Sequence, residues 1–308
     1  MSAKHLKLIA LGLAVLLLLW GGSALFSRGS DTVTGSLTLP ALRAADVDSI
    51  ILGTGAEALR VAKQSATAWT VNGARAAPAS VDELFQALAD RVRPELVAQD
   101  ASSFARLQVD SATGRALRLV RGGTPVLELI VGMRANEFQT VYLRRPGDAH
   151  VYLWRGALAS VVRRAADDWR DKRIAVLDPD SIGALDVQRG AERYTVRRVG
   201  KAWVLDGAGT DSAAMAQYLG RVRTITAAGF ASAQEVDSTR ARRPSRRLTV
   251  RGGPGVLLTL AFDSTAGGFV VRHVAGVGGE GTTVYRMNLW DVDGLTPARR
   301  ALARPMPR

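Results

Sequence analysis

The chain has 308 residues, of which 47% are hydrophobic, and it carries a formal net charge of +13. This apolar content is enough for one large core or two modest ones, and it argues against a disordered chain. The sequence contains no cysteine, which excludes a disulfide framework and a lipid-modified cysteine.

The first predicted element in chain order is a membrane helix over residues 8–26. This stretch is uncharged, Lys4 and Lys7 precede it, and only Arg28 closely follows it. About 20 apolar residues are needed to span a bilayer, and positive charge is retained on the cytoplasmic side. The sequence therefore predicts a single-pass membrane protein whose bulk is extracytoplasmic.

This prediction divides the amino-terminal region into a cytoplasmic tail at 1–7, a transmembrane anchor at 8–26 and a linker at 27–36. A cleaved signal peptide is the alternative, because Gly22-Ser23-Ala24 offers small residues to a peptidase after an apolar stretch. Both alternatives export the rest of the chain.

An internal repeat organises the rest of the chain. AWTVNG at 68–73 and AWVLDG at 202–207 end two similar runs of three predicted strands, and RGG recurs at 121–123 and 251–253. In each unit, the sequence that follows predicts a helix and then four strands joined in hairpins. We expect an α+β fold, in which an N-terminal transmembrane helix is followed by two tandem repeats of a mainly antiparallel sheet with a packed helix.

The two units are predicted to span residues 37–173 and 174–303, with a tail at 304–308. The helix of the first unit covers VDELFQALADRV with Ser80 as its cap, and its counterpart lies in DSAAMAQYLGRVRTI. Helical segments in ALASVVRRAADDWRDKR and LTPARRALA are expected to close the units. Trp69 and Trp203 are expected to anchor equivalent cores.

A glycine-rich stretch, AGVGGEGTTVY at 275–285, contains G-x-G-x-x-G, the pattern of a dinucleotide-binding loop. Such a site needs a helix after the loop, because the helix amino terminus receives the pyrophosphate. Here Thr282, Thr283, Val284 and Tyr285 follow the loop, and these residues favour a strand. The stretch is therefore interpreted as a hairpin connection, and no cofactor is predicted.

No catalytic or metal site is predicted. The three histidines have no spacing typical of zinc ligands, and no G-x-S-x-G motif is present. The alternative is an enzyme in which clustered carboxylates act as acid and base on a glycan. These carboxylates are Asp167, Asp168, Asp171, Asp178 and Asp180. The alternating signs over 168–173 instead favour a solvated helix end or an ion-paired hinge between the units.

The most basic stretch is STRARRPSRR, just before a predicted strand. Its candidate anionic-surface contacts are Arg240, Arg242, Arg243, Arg246 and Arg247. Nucleic acid is not an expected partner, because no aromatic residues are interleaved with these arginines and the stretch lies on the exported side. A solvated loop is the default interpretation of this stretch, and contact with anionic lipid or an acidic partner is the alternative.

In these features the chain resembles the bacterial domain-of-unknown-function 4340 (DUF4340) family. The resemblance rests on the amino-terminal apolar segment, the repeated unit with AWTVNG and AWVLDG, and the connecting segment DDWRDKRIAVLDPDSI. It covers nearly everything after residue 36. The family offers no catalytic residues to transfer. Its members are often encoded beside ABC-transporter components, which implies an accessory role at the cell envelope.

We therefore expect a noncatalytic membrane protein whose exported tandem-repeat region binds partners as an accessory component of an envelope ABC-transporter system. Its expected partners are the inner membrane and ABC-transporter permease and ATPase subunits. The alternative function is an exported, periplasmic binding module for anionic lipid or envelope polymer through Arg-rich loops. The sequence leaves the ligand and the oligomeric state open.

Overall fold

The computed structural model describes residues 37–89, 94–135, 139–240, 243–253, 255–278 and 283–304. Short strands dominate these residues, as expected for runs of β-branched and apolar residues separated by Gly-containing turns. Nine strands belong to the first half of the chain. They are β1 (Ser49–Leu52), β2 (Leu59–Lys63), β3 (Trp69–Val71), β4 (Ala74–Arg75), β5 (Glu95–Ala98), β6 (Arg115–Arg121), β7 (Thr124–Arg134), β8 (Thr140–Arg144) and β9 (Val151–Arg155).

Eleven further described strands belong to the second half. They are β10 (Arg173–Val176), β11 (Ala184–Arg189), β12 (Glu192–Val199), β13 (Ala202–Leu205), β14 (Ala208–Gly209), β15 (Thr224–Thr226), β16 (Gly229–Phe230), β17 (Arg246–Gly252), β18 (Gly255–Thr265), β19 (Gly268–Gly276) and β20 (Val284–Met287).

The described α-helices are few and short. They are α1 (Pro78–Ala89), α2 (Phe104–Leu107), α3 (Leu158–Val162), α4 (Ala166–Trp169), α5 (Ser212–Arg223), α6 (Ala233–Arg240) and α7 (Leu289–Leu295).

Two nine-stranded sheets share one strand order. The first sheet runs β4-β3-β2-β1-β6-β7-β8-β9-β5, and the second runs β14-β13-β12-β11-β17-β18-β19-β20-β16. In each sheet a short strand that follows the helix pairs with the last hairpin strand at the far edge. The two sheets therefore share one topology.

Packing divides the chain into two compact units that do not coincide with the two sheets. The first comprises Met1–Pro40, Asp90–Gly114 and Leu129–Ala159, and the second comprises Ala41–Ala89, Arg115–Glu128 and Ser160–Arg308. In the first unit, Leu107, Val109 and Val151 form a small buried cluster. The second unit contains the whole second sheet. The domain boundaries expected from the sequence stay a prediction.

The core of the second sheet lies on the face that packs against α5. Leu185, Val196 and Val250 are fully buried on this face, together with Met215 and Tyr218 of the helix. Burying one large aliphatic side chain contributes about 1.5–3 kcal/mol, so this helix and sheet stabilise each other mainly through their apolar faces. Alternate residues of the strands point to the opposite, outer face.

The predicted α+β fold class is wrong. The described chain is mostly antiparallel sheet with few helices, not α+β. Among the described helices, none has the length and apolar character needed to cross a membrane. The longest have 12 residues, which rise only about 18 Å against the ~30 Å hydrocarbon core. The predicted anchor at 8–26 lies outside the described residues.

Local expectations for helix ends also needed correction. Helix α1 begins at Pro78, so Ser80 lies inside it and donates its hydroxyl to the Asp168 carbonyl (3.0 Å) instead of capping the helix. Proline suits the first helical turn because its missing N–H has no partner there anyway. The closing segment LTPARRALA forms only a 3-10 turn at Arg299–Ala301, because a residue before proline, here Thr296, disfavours the helical conformation.

The glycine-rich stretch connects β19 to β20, so a strand and not a helix follows it, as predicted. Gly276 and Gly278 both have positive φ, at 95° and 85°. A Cβ at Gly278 would lie 2.2 Å from the Ile174 carbonyl oxygen. These glycines serve close approach of the backbone rather than a phosphate.

Candidate functional site

The arginine cluster expected from the sequence is divided by the fold. Arg240 ends α6, Arg242 lies outside the described residues, and Arg243 is exposed. Arg246 and Arg247 are the first two residues of β17, so their side chains point to opposite faces of the sheet.

Arg246 is engaged within the protein. Its side chain is only 12% exposed, forms an ion pair with Asp293 and donates to the Thr296 hydroxyl (3.2 Å). Its guanidinium also lies 4.9 Å from the ring centre of Phe269. Arg189 approaches the same Asp293 carboxylate at 3.0 Å. Arg246 therefore stabilises the fold, whereas Arg247 is exposed on the outer face.

Arg247 belongs to a group of four exposed arginines on the outer face, which we call the arginine rectangle. Its members are Arg193, Arg197, Arg247 and Arg251. Gln188 of β11 pairs with Arg193 on one side and Arg247 on the other, and Ala184 pairs in the same way with Arg197 and Arg251. Strands lie about 4.8 Å apart and rise about 3.4 Å per residue, so the rectangle measures about 10 Å by about 14 Å between backbones.

The middle row of the rectangle contains one carboxylate between two hydroxyls. Asp186 pairs with Thr195 and Thr249 on its two neighbouring strands. Its carboxylate accepts a hydrogen bond from the Thr195 hydroxyl (2.9 Å) and one from Nε of Arg251 (2.6 Å). In the described part of the chain, Arg193, Arg197 and Arg247 have no ion-pair partner. Three of the four cations are therefore uncompensated.

A concavity of about 460 Å³ lies on this face. It is lined by three members of the rectangle, by Thr195 and Thr249, and by Asp186 and Asp206. The backbone N–H of Thr195 (3.1 Å) and the Arg299 side chain (2.9 Å) hold the pKa of Asp206 below its usual range. This carboxylate is thus neutralised by Arg299, and the arginines dominate the charge of the concavity.

The outer face of the first sheet provides an internal comparison. Its strand register places Ala62 and Val120 on either side of Ser49, at two of the corners. At the other two corners the strand pairing has ended: Gly53 lies between Ala116, whose carbonyl accepts from the Gly53 N–H (2.8 Å), and the buried Ala58. Its middle row is Arg60, Ile51 and Arg118, where the second sheet has Thr195, Asp186 and Thr249. Arg118 forms an ion pair with Glu128. An arginine at every corner is therefore a property of the second sheet alone.

The family comparison covers this region. The model of a domain of unknown function, DUF4340, matches residues 69–244, more than half of the chain. The chain belongs to the DUF4340 family. The match includes Arg193 and Arg197 and the segment that connects the two sheets of this DUF4340 protein. Neither the curated proteins nor the solved structures contain a match.

The connecting segment is an ion-paired structure. Asp167 pairs with Arg170 (3.3 Å) and Asp168 with Lys172 (3.2 Å), while Asp171 is buried and pairs with Arg173 (2.7 Å). These carboxylates are therefore ion-paired, and a hinge between the predicted units stays a prediction. Asp178 caps the following 3-10 turn by accepting from the Asp180 N–H.

Sequence reasoning missed Arg193, Arg197 and Arg251 because they are far apart along the chain and only strand pairing brings them together. A signal was present in ERYTVRRV and RRLTVRG, where arginines alternate with apolar residues. Such alternation predicts that the arginines share the solvent face of a strand. The register between strands was the missing information.

Proposed function

We propose that this protein is a noncatalytic binding module that holds an anionic partner against the arginine rectangle. The observation that carries this proposal is the set of four exposed arginines, at positions where the first sheet has three alanines and one valine. Duplicated sheets share the needs of folding, so four exposed arginines on one outer face, with no arginine at the same places of the other sheet, indicate a role in binding.

The rectangle suits a polyanion because its charges are spread over an area rather than focused on one atom. An arginine near an anionic surface contributes about 1 kcal/mol. Asp186 offsets Arg251, so the three remaining arginines contribute about 3 kcal/mol, or roughly 100-fold in affinity. The hydroxyls of Thr195 and Thr249 add hydrogen-bonding groups in the middle row.

A linear anionic envelope polymer fits this face better than a bilayer. The site is an open concavity across three strands, in which the carboxylate or phosphate groups of one chain can contact several arginines at once. Arginine forms paired hydrogen bonds with both kinds of anion. Anionic lipid is the other outcome that the experiment distinguishes.

The test is binding of the purified full chain to two kinds of probe. Polygalacturonate and polyphosphate represent the polymer, and phosphatidylglycerol vesicles represent the lipid surface, with phosphatidylcholine vesicles as the neutral control. The proposal predicts binding to a polymer that weakens steeply with added salt, because exposed charges are screened within about 10 Å at 0.1 M salt. Salt-insensitive binding, or binding to none of these anionic probes, would contradict it.

The accessory role in an envelope ABC-transporter system stays a prediction, supported by the family resemblance. The inner-membrane location likewise rests on the sequence of residues 8–26. Both are tested by crosslinking in native membranes, followed by mass spectrometry of proteins that copurify with the tagged full chain. The control is a protein with an unrelated amino-terminal apolar segment. A permease and an ATPase that copurify in larger amounts with the tagged chain than with this control would support the accessory role. If neither is enriched over the control, the accessory role is refuted.

A further inference from the structure

A second concavity, of about 330 Å³, lies between the edge strands β13 and β14 and helix α5. Its apolar walls come from a half-buried tryptophan and two helix residues, and two cations border it. These residues are Trp203, Met215, Leu219, Lys201 and Arg304. We call this concavity the edge groove.

The first half of the chain contains an equivalent place, which the hydrogen bonding defines. The N–H of Ala77 donates to the carbonyl of Trp169 (2.8 Å), and the N–H of Asp211 donates to that of Leu302 (3.0 Å). Isolated bridges follow in the same positions, Ala76 with Arg170 and Thr210 with Ala303. Leu302 therefore takes the place of Trp169, and Arg304, two residues on, takes that of Asp171.

Three side chains at this place are larger in the first half than in the second. The helices α1 and α5 align residue by residue, so Phe85 corresponds to Leu219 and Asp82 to Ala216. The strands β4 and β14 align in the same way, so Arg75 corresponds to Gly209. Trp69 is buried to 5% exposure, whereas its counterpart Trp203 is only half-buried. Smaller side chains thus leave the edge groove open.

The charges at this place are also reversed. In the first half, the buried carboxylate of Asp171 pairs with Arg75 (3.2 Å). In the second half the corresponding residues are Arg304 and Gly209, and a Cβ at Gly209 would lie 3.8 Å from Cζ of Arg304. Lys201 adds a second cation where the first half has Thr67. Within the described ranges, Arg304 and Lys201 have no ion-pair partner.

We propose that the edge groove binds a small amphiphilic carboxylate, with its apolar body against Trp203 and Leu219 and its carboxylate between Lys201 and Arg304. At the equivalent positions the first half has the larger side chain of Phe85 and the carboxylate of Asp171. The second half lacks both groups and keeps apolar walls and cations that complement them. An aromatic or aliphatic acid supplies the same two groups from outside. The groove lies on the helix-covered side of the sheet, so this inference does not depend on the arginine rectangle.

The test measures binding of 4-phenylbutyrate to the full chain by isothermal titration calorimetry, with 4-phenylbutyramide as the neutral comparison. We expect the acid to bind and the amide to bind more weakly by about tenfold, as expected for loss of a charge-assisted hydrogen bond. Arg304→Asp should weaken binding of the acid by at least the same factor of about ten. Its matched control is Arg300→Asp, an exposed position outside the groove, which should leave the affinity unchanged.

A second variant tests the shape of the groove. Leu219→Phe installs the residue of the first half at a half-buried position and should abolish binding while the thermal stability is kept. A third variant replaces all four arginines of the arginine rectangle, Arg193, Arg197, Arg247 and Arg251. It should still bind the acid, which separates this inference from the proposed function. Absence of binding by the unaltered chain, equal binding of acid and amide, or unchanged affinity in Arg304→Asp would overturn the proposal.

Discussion

Replacing the buried carboxylate of Asp171 by an amide, in Asp171→Asn, should destabilise the segment that connects the two sheets. Asp171 is 4% exposed and accepts from the backbone N–H of Arg173 (2.9 Å) and from its guanidinium (2.7 Å). Arg75 approaches from β4 at 3.2 Å and also donates to the Arg173 carbonyl (2.8 Å). The carboxylate thus joins a strand of the first sheet to the connecting segment.

The expected loss is about 2 kcal/mol in the free energy of unfolding. Removing one partner of a fully buried ion pair costs about 3–5 kcal/mol. Here the side chains of Arg75 and Arg173 are 42% and 49% exposed, so water compensates part of the lost interaction. A loss of this size lowers the melting temperature by about 4–6 °C in a protein of this length.

The effect should depend on pH in a defined direction. Burial alone would raise the pKa of Asp171, but the hydrogen bonds from Arg173 and the charges of Arg75 and Arg173 outweigh it and lower the pKa from its ordinary value of 3.8. A lowered folded-state pKa gives stability that is present above the unfolded-state value and lost as the pH falls through the folded-state value. The difference between the unaltered chain and Asp171→Asn should therefore shrink below pH 3.8.

The assay is thermal unfolding followed by circular dichroism from pH 7 down to the acid limit of folding. Asp168→Asn is the matched control, because its carboxylate is 53% exposed and pairs only with Lys172 (3.2 Å), a contact that contributes about 0.5 kcal/mol or less. Equal melting temperatures for the two variants at pH 7, or a difference that persists in acid, would refute the reasoning.

Three further changes test the packing of the second compact unit and of α1. Gly278→Ala should cost about 1–3 kcal/mol in urea unfolding, because its φ is 85° and the new Cβ would meet the Ile174 carbonyl; a neutral result would contradict the close approach. Tyr218→Phe should cost about 1 kcal/mol through loss of the hydrogen bond to the Leu295 carbonyl (3.0 Å). Burial raises the pKa of Tyr218 well above 10.0. The stability that Tyr218 contributes should therefore be present below pH 10.0 and lost as the pH rises further. If the phenol absorbance titrates before the protein unfolds, Tyr218 is not buried. Leu84→Ala should cost about 2–5 kcal/mol, since Leu84 is fully buried in α1, and a loss below 1 kcal/mol would place it outside the core.

Much of the fold could be predicted because the sequence repeats itself. AWTVNG and AWVLDG mark equivalent strands, and the helices α1 and α5 begin at equivalent positions after them. The pairing of β5 with β9 and of β16 with β20 could not be predicted, because these partners are distant in sequence and their short strands have little pattern. The helical segments were overestimated, since propensity alone does not show where the chain becomes extended, as it does at Ala165 and Arg170.

The candidate site was predictable only in part. The run of arginines before β17 drew attention to Arg247, but local charge density also selected Arg246, which the fold uses internally. Arg193 and Arg251 join Arg247 through the register of three strands, and register depends on pairing that one sequence does not reveal. The difference between Trp69 and Trp203 likewise depends on neighbours such as Phe85 and Leu219.

The most direct test of the central claim compares two full-chain variants of equal net charge. One replaces the arginine rectangle by the residues of the first sheet, in Arg193→Ala, Arg197→Ala, Arg247→Ala and Arg251→Val. The other removes four exposed arginines elsewhere, in Arg60→Ala, Arg106→Ala, Arg223→Ala and Arg300→Ala. Binding to the polyanion at 0.1 M salt should fall roughly 100-fold in the first variant and change little in the second. Equal losses in both variants would show that net charge alone drives binding and would contradict the account.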